Sequence, residues 1–265
     1  METVLHIQSG QGCPSIPLIL IHAISGLALP YLALGELGRD VYGISAPLFE
    51  HGNASPMPQT LAEVAAIYVA IVRREIQPHG PYLLGGWSLG GMIAVEMARI
   101  FASRGEIVAH VIMIDSMNPE KFLPFRDARE HRLVASLTYN AIARRMSGPI
   151  EPATLGDLDS EMFDRGSTSS SGSSSADASG ENSSADASSD EDDDDLVAIF
   201  YSHMRRHIQG GLRMLSAYRS STTAASNRRG LAKMDVTLVK CKLPGALSPF
   251  LDDHRRSFAK KNEQR

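Results

Sequence analysis

Apolar residues recur along this chain at two alternating spacings. Pro17-Leu18-Ile19-Leu20-Ile21-His22 holds an unbroken apolar run, too short for a helix, and reads as a buried strand. Asp40–Ile44 and Tyr82–Gly85 read the same way, as does Val108–Ile114, which ends at Asp115. Pro47, Pro56, Pro58 and Gly52 make 45–58 a connection. Between the second and third runs the spacing changes. Leu61, Val64, Ala65, Tyr68, Ile71 and Val72 form one helical stripe. Thr60 and Glu63 fit a capping box ahead of it, and Pro78 with Gly80 ends it. A second helix is predicted from Leu89 to about Ser103, with Gly105 as its stop. Val236–Cys241 is one further strand. Strands and helices alternating at this spacing predict a mostly parallel sheet covered on both faces.

Residues 120–165 and 196–219 read as helical and stand between sheet strands. Ala198, Phe200, Tyr201, Met204, Ile208, Leu212 and Leu215 supply an apolar face. Together they suit a lid over about 120–219. Ser167–Asp195 interrupts it with Ser, Asp, Ala, Gly and Glu and with no large apolar residue. Such a segment cannot offset its ordering entropy, so disorder is expected over 167–195. The tract also changes the charge picture. The net charge is −4, but nine acidic residues sit in the tract, leaving 26 basic against 21 acidic residues elsewhere. The remainder is therefore mildly basic. The length of 265 residues suits a single domain with a lid. No apolar run is long enough to span a membrane, and Met1–Gly10 lacks a signal-peptide plan, so a cytoplasmic location is expected. Cys13 and Cys241 are far apart and read as free buried thiols. No histidine and carboxylate spacing suggests a metal, no cofactor is expected, and no basic-aromatic pattern suggests nucleic acid.

The chemistry centres on Gly86-Trp87-Ser88-Leu89-Gly90. A serine hydroxyl needs a base and an oxyanion site to act as a nucleophile. A strand-to-helix turn of this sequence strains the serine and lifts its Oγ above the sheet. Ser88 is thus the expected nucleophile of an α/β-hydrolase. The Leu89 N–H, at the helix N-terminus, is the expected first oxyanion donor. The second should come from His22-Ala23-Ile24-Ser25-Gly26, with Ile24 chosen and Ala23 the alternative. Asp115, at the end of the next strand, is the expected triad acid. His22 precedes Ser88, against the chain order serine, acid, histidine, and reads as a structural loop residue.

The run Ile76-Gln77-Pro78-His79-Gly80-Pro81-Tyr82-Leu83-Leu84-Gly85-Gly86-Trp87-Ser88-Leu89-Gly90-Gly91, with Ala94, Glu96 and Ala98 behind it, resembles type I thioesterase domains. These belong to polyketide synthase and nonribosomal peptide synthetase pathways, and the likeness is greatest to the fungal polyketide type. The resemblance runs from about Pro17 to Asn118 and continues more faintly into the lid and the last strand. It implies release of an acyl chain held as a thioester on the phosphopantetheine of a carrier protein, which makes an acyl carrier protein the expected partner. Two features depart from the family: the Ser/Asp tract, and the region past Cys241. There the family has a loop bearing the catalytic histidine, whereas here the C-terminal strand and loop look to be missing. His254 is the sole histidine after the last strand and reads as part of a charged surface helix. His203 and His207, one turn apart, read as a pair or as solvent-edge lid residues. The expected activity is therefore that of a serine thioesterase, with slow turnover. Two alternatives are a catalytically impaired carrier-docking protein and a generic ester hydrolase.

Overall fold

The computed structural model describes residues 2–10, 15–51, 57–117, 124–151, 190–218 and 235–240. Six strands form one sheet: β1 (Val4–Gln8), β2 (Leu18–Ile21), β3 (Val41–Ile44), β4 (Tyr82–Trp87), β5 (Val108–Ile114) and β6 (Val236–Val239). Their order is β1-β3-β2-β4-β5-β6. β1 is antiparallel to β3 and every other pair is parallel. The pattern of apolar runs misses β1, a half-buried edge strand without a continuous apolar stretch. β2 explains why its own run is unbroken. Leu18 and Leu20 pack on one face with Ala28, Tyr31 and Val41, while Ile19 and Ile21 join the main core on the other.

The helices are α1 (Leu48–His51), α2 (Leu61–Glu75), α3 (Leu89–Ser103), α4 (Ala128–Arg145) and α5 (Asp190–Ala217), with a 3₁₀ turn at Leu29–Ala33. α1 lies inside the stretch expected to be a plain connection. In α2 every residue of the predicted stripe is buried. The Thr60 hydroxyl accepts the Glu63 N–H at 3.2 Å, as the capping box requires. The return bond differs, because the Glu63 carboxylate accepts the N–H of Gln59, at 2.7 Å, rather than that of Thr60. α3 ends at Ser103 and Gly105 takes φ +77, the left-handed conformation of a helix stop.

The lid helices pack on one another. Tyr139 and Tyr201 meet edge to face with centroids 6.4 Å apart, and the Arg205 guanidinium stands 5.1 Å above the Tyr139 ring. Tyr201, Met204, Ile208, Leu212 and Leu215 are buried as the stripe predicts, but Ala198 is exposed. The expected boundary of the tract needs correction. α5 begins at Asp190, so residues 190–195 belong to the helix. A run of acidic residues suits the first turns of a helix, where the macrodipole favours negative charge. The rest of the tract, Cys13, Cys241 and His254 lie outside the described residues.

β2 pairs with β3 on one side and β4 on the other. From β2 the chain first adds β3 outward, then returns to build β4, β5 and β6 on the opposite side. The strand order reverses there, and in open parallel sheets ligands bind at the carboxyl ends of the strands beside such a reversal.

Candidate active site

The elbow lies at that reversal. β4 ends at Trp87 and α3 begins at Leu89, which leaves Ser88 alone between them. Its backbone is held at φ 55 and ψ −116, outside the region that an ordinary L-residue prefers. The glycines around it permit close approach. A Cβ on Gly86 would overlap the Gly90 backbone, and one on Gly90 would overlap the carbonyl oxygens of Ile21 and His22. The start of α3 thus rests directly on the end of β2. Tyr31 braces the same junction: its hydroxyl donates to the Ile21 carbonyl at 2.6 Å and accepts the Trp87 N–H at 2.8 Å.

Asp115 lies beside Ser88 by register. Trp87 faces Ile114 across β4 and β5, and the Ser88 N–H donates to the Ile114 carbonyl at 2.8 Å. Serine and aspartate are therefore the first residues past two adjacent strand ends, and both have positive φ, 55 and 48. The Asp115 N–H donates to the Val239 carbonyl at 2.6 Å, which anchors it to β6 as well. Its carboxylate is 34% exposed and lies 3.1 Å from the Lys240 ammonium. No sequence signal marked Lys240 as a neighbour of the acid.

Leu89 and the loop after β2 carry the two oxyanion candidates. Leu89 holds the first position of α3, where helix geometry leaves the N–H free. The loop after β2 turns tightly, with the Gly26 N–H donating to the Ala23 carbonyl at 3.0 Å. Among the described residues the Ile24 N–H meets no backbone acceptor. The Ile24 and Leu89 side chains meet at one place on the lid. A Cβ at Gly211 of α5 would be 2.5 Å from Ile24 Cδ1 and 3.1 Å from Leu89 Cδ2.

His22, His203 and His207 are buried. His22 is fully buried. Its Nδ1–H donates to the Ala23 carbonyl at 2.6 Å, so in the neutral ring Nε2 accepts from the Tyr68 hydroxyl at 2.5 Å. Burial holds it neutral, with its pKa lowered to about 3. The nearby His207 adds to the shift, and the Ala23 carbonyl opposes it. His203 and His207 are not at the solvent edge. Both are buried, because this part of α5 is turned onto Phe49 of α1 and the loop after β2. His207 donates from Nδ1 to the Ile24 carbonyl at 3.0 Å and meets His22 edge to face at 4.8 Å. His203 packs against Phe49. A cavity of about 300 Å³ opens beside α5, lined by Met57, Gln59, Arg206, Gln209 and Arg213 among others; neither Ser88 nor Asp115 lines it. Among the described residues no group of three or more metal-ligating side chains occurs.

The thioesterase domain family model matches residues 16–145, the span from β2 through the elbow to the end of α4. Thioesterase pytI of Aspergillus terreus is 45% identical over 99% of this chain and 84% of its own length. The chain belongs to the thioesterase family. A non-reducing polyketide synthase of Cladonia grayi, PKS16, is 42% identical over 40% of this chain and 5% of that much longer protein. The crystallised NocB thioesterase domain, in covalent complex with a fluorophosphonate nocardicin G analog, superposes with a TM-score of 0.52. It is 21% identical over 95% of this chain and 94% of its own. That likeness concerns the fold, which is the α/β-hydrolase fold with its mostly parallel sheet.

The protein is thus a thioesterase, an enzyme of the serine hydrolase class. Among the described residues of this thioesterase no helix is long and apolar enough to cross a membrane. No sequence pattern marks Tyr31, His207 and Gly211 as supports of the elbow and the loop after β2, because each acts on residues far from it in the chain.

Proposed function

We propose that this thioesterase releases a polyketide or fatty acyl chain from the phosphopantetheine arm of a carrier protein, with Ser88 as nucleophile. The observation that carries this reading is the strained Ser88 set beside Asp115 at the ends of adjacent parallel strands. Ser88 Oγ attacks the thioester carbonyl and forms a C–O bond while its proton passes to a general base, the histidine that the resemblance to the family implies. The N–H groups of Leu89 and Ile24 take the negative charge on the carbonyl oxygen. The C–S bond then breaks and the base returns the proton to the departing sulfur. Water, or a hydroxyl of the chain itself, attacks the acyl-serine and restores Ser88. Asp115 orients the imidazole and stabilises its protonated form. The polyketide substrate class is supported by the similarity to a polyketide synthase, and the carrier as partner follows from that class.

The Lys240 contact favours a second reading, in which the Asp115 carboxylate is engaged by the ammonium and the protein docks a carrier with little turnover. Steady-state hydrolysis of acyl N-acetylcysteamine thioesters separates the two. Release by the wild type that is lost in Ser88→Ala supports the first. Equal rates in wild type and Ser88→Ala contradict it.

A further inference from the structure

The turn of α5 from His207 to Gly211 lies on the loop that carries Ile24. Two imidazoles hold two consecutive peptide groups of that loop. The Ala23 carbonyl accepts from His22 Nδ1 at 2.6 Å and from the Gly26 N–H at 3.0 Å. The Ile24 carbonyl accepts from His207 Nδ1 at 3.0 Å, across 183 residues of sequence. A trans peptide is planar, with its N–H opposite its carbonyl. Fixing the Ala23 carbonyl therefore aims the Ile24 N–H the other way. Fixing the Ile24 carbonyl sets the next plane, and with both planes set the backbone angles of Ile24 are determined.

The rest of the contact keeps the imidazole seated. His207 is buried, and the ring lies where Gly26 has no side chain: a Cβ on Gly26 would be 2.9 Å from His207 Cγ and 2.8 Å from Phe49. Gly26 has φ +84, so a side chain there is disfavoured by the backbone as well. One turn further on, Gly211 leaves room for the Ile24 and Leu89 side chains together. The lid thus touches the residues that bear both candidate oxyanion donors, and touches Ile24 through a directed hydrogen bond.

We propose that His207 is a positioning residue: seating the lid helix on the loop sets the Ile24 N–H in its catalytic orientation. The proposal rests on the reading of Ile24 as an oxyanion donor. Without His207 the loop keeps the His22 bond but loses the second fixed plane. The transition state then loses part of a donor, whereas ground-state binding of the thioester does not change.

The test compares His207→Leu, which keeps an apolar buried side chain without a donor, with His207→Asn, whose amide nitrogen falls near the position of Nδ1. Turnover of an acyl N-acetylcysteamine thioester and hydrogen–deuterium exchange of peptides spanning 22–27 are measured on the whole chain. Losing an oxyanion donor outright costs on the order of 10²–10³ in kcat, so His207→Leu is expected to lower kcat by about 10-fold or more with KM little changed. The loop amides should exchange faster while α2 and α3 exchange as in the wild type. His207→Asn should recover most of both. Gly211→Ala adds a methyl in the space of Ile24 Cδ1 to a helix that alanine favours, and should lower kcat with no fall in Tm. If His207→Leu does not fold, His207→Gln, whose amide stands near the position of Nε2 rather than Nδ1, takes its place with the same expected outcomes. Wild-type loop exchange in a folded His207→Leu overturns the proposal. So does faster exchange throughout the molecule that Asn does not repair. Loosening confined to the loop and repaired by Asn, with kcat unchanged, overturns it by removing Ile24 from the oxyanion site.

Discussion

Gly90 shows how little room the elbow leaves. The positions that a Cβ would overlap there are backbone oxygens of Ile21 and His22, which cannot rotate away as a side chain can. Gly90→Ala is expected to destabilise the fold by about 2 kcal/mol or more, in the range of overpacked cores. Chemical denaturation should show it as a lower midpoint at unchanged m-value. His22 sets a second residue-scale expectation. Its folded pKa is about 3, against about 6.5 in an unfolded chain. Between these values the unfolded state binds a proton that the folded state refuses. The contribution to stability is complete above pH 6.5, falls by about 1.4 kcal/mol per pH unit below it, and levels off near pH 3. The denaturation free energy should therefore drop between pH 7 and pH 5 by about 2 kcal/mol through this residue. His22→Gln should flatten that part of the profile, and an equally steep profile in the variant would contradict the assignment. Burial also explains why His22 reads correctly from sequence as a structural residue, while the buried positions of His203 and His207 do not. His22 follows an apolar strand, but His203 and His207 lie on a helix with charged neighbours, and only the tertiary fold decides which edge of that helix is covered.

Elements differ in how plainly the sequence announces them. β2, β4, β5, α2 and α3 are legible because each carries its own period and its own stop. β1 is half-buried and α1 has only four residues, so neither offers a period to read. The lid helices are legible as helices, but their partners are not. α5 is tied to α3 at its far end. There the Tyr218 hydroxyl donates to the buried Glu96 carboxylate, which also pairs with Arg99, and Arg99 donates to the Tyr218 oxygen at 2.9 Å. Tyr218→Phe removes the hydroxyl from a largely buried cluster and should cost about 1–3 kcal/mol. Its check is thermal unfolding combined with exchange at the α5 end. An unchanged Tm with unchanged exchange would show that the tie holds nothing.

At the scale of the molecule, strand-to-helix alternation made the parallel sheet legible, and the elbow placed Ser88 on it. The closeness of Asp115 to Ser88 followed from both standing at strand ends. The support from α5 to the loop after β2 could not be read in the same way. His207 and Ile24 are 183 residues apart and no local pattern links them. The central claim concerns one oxygen atom, Ser88 Oγ, and a fluorophosphonate probes it directly by phosphonylating an activated serine. Intact-mass analysis followed by peptide mapping should find one adduct per chain, on Ser88, and none in Ser88→Ala. An adduct on another residue, or labelling of Ser88→Ala at the wild-type rate, would contradict the account.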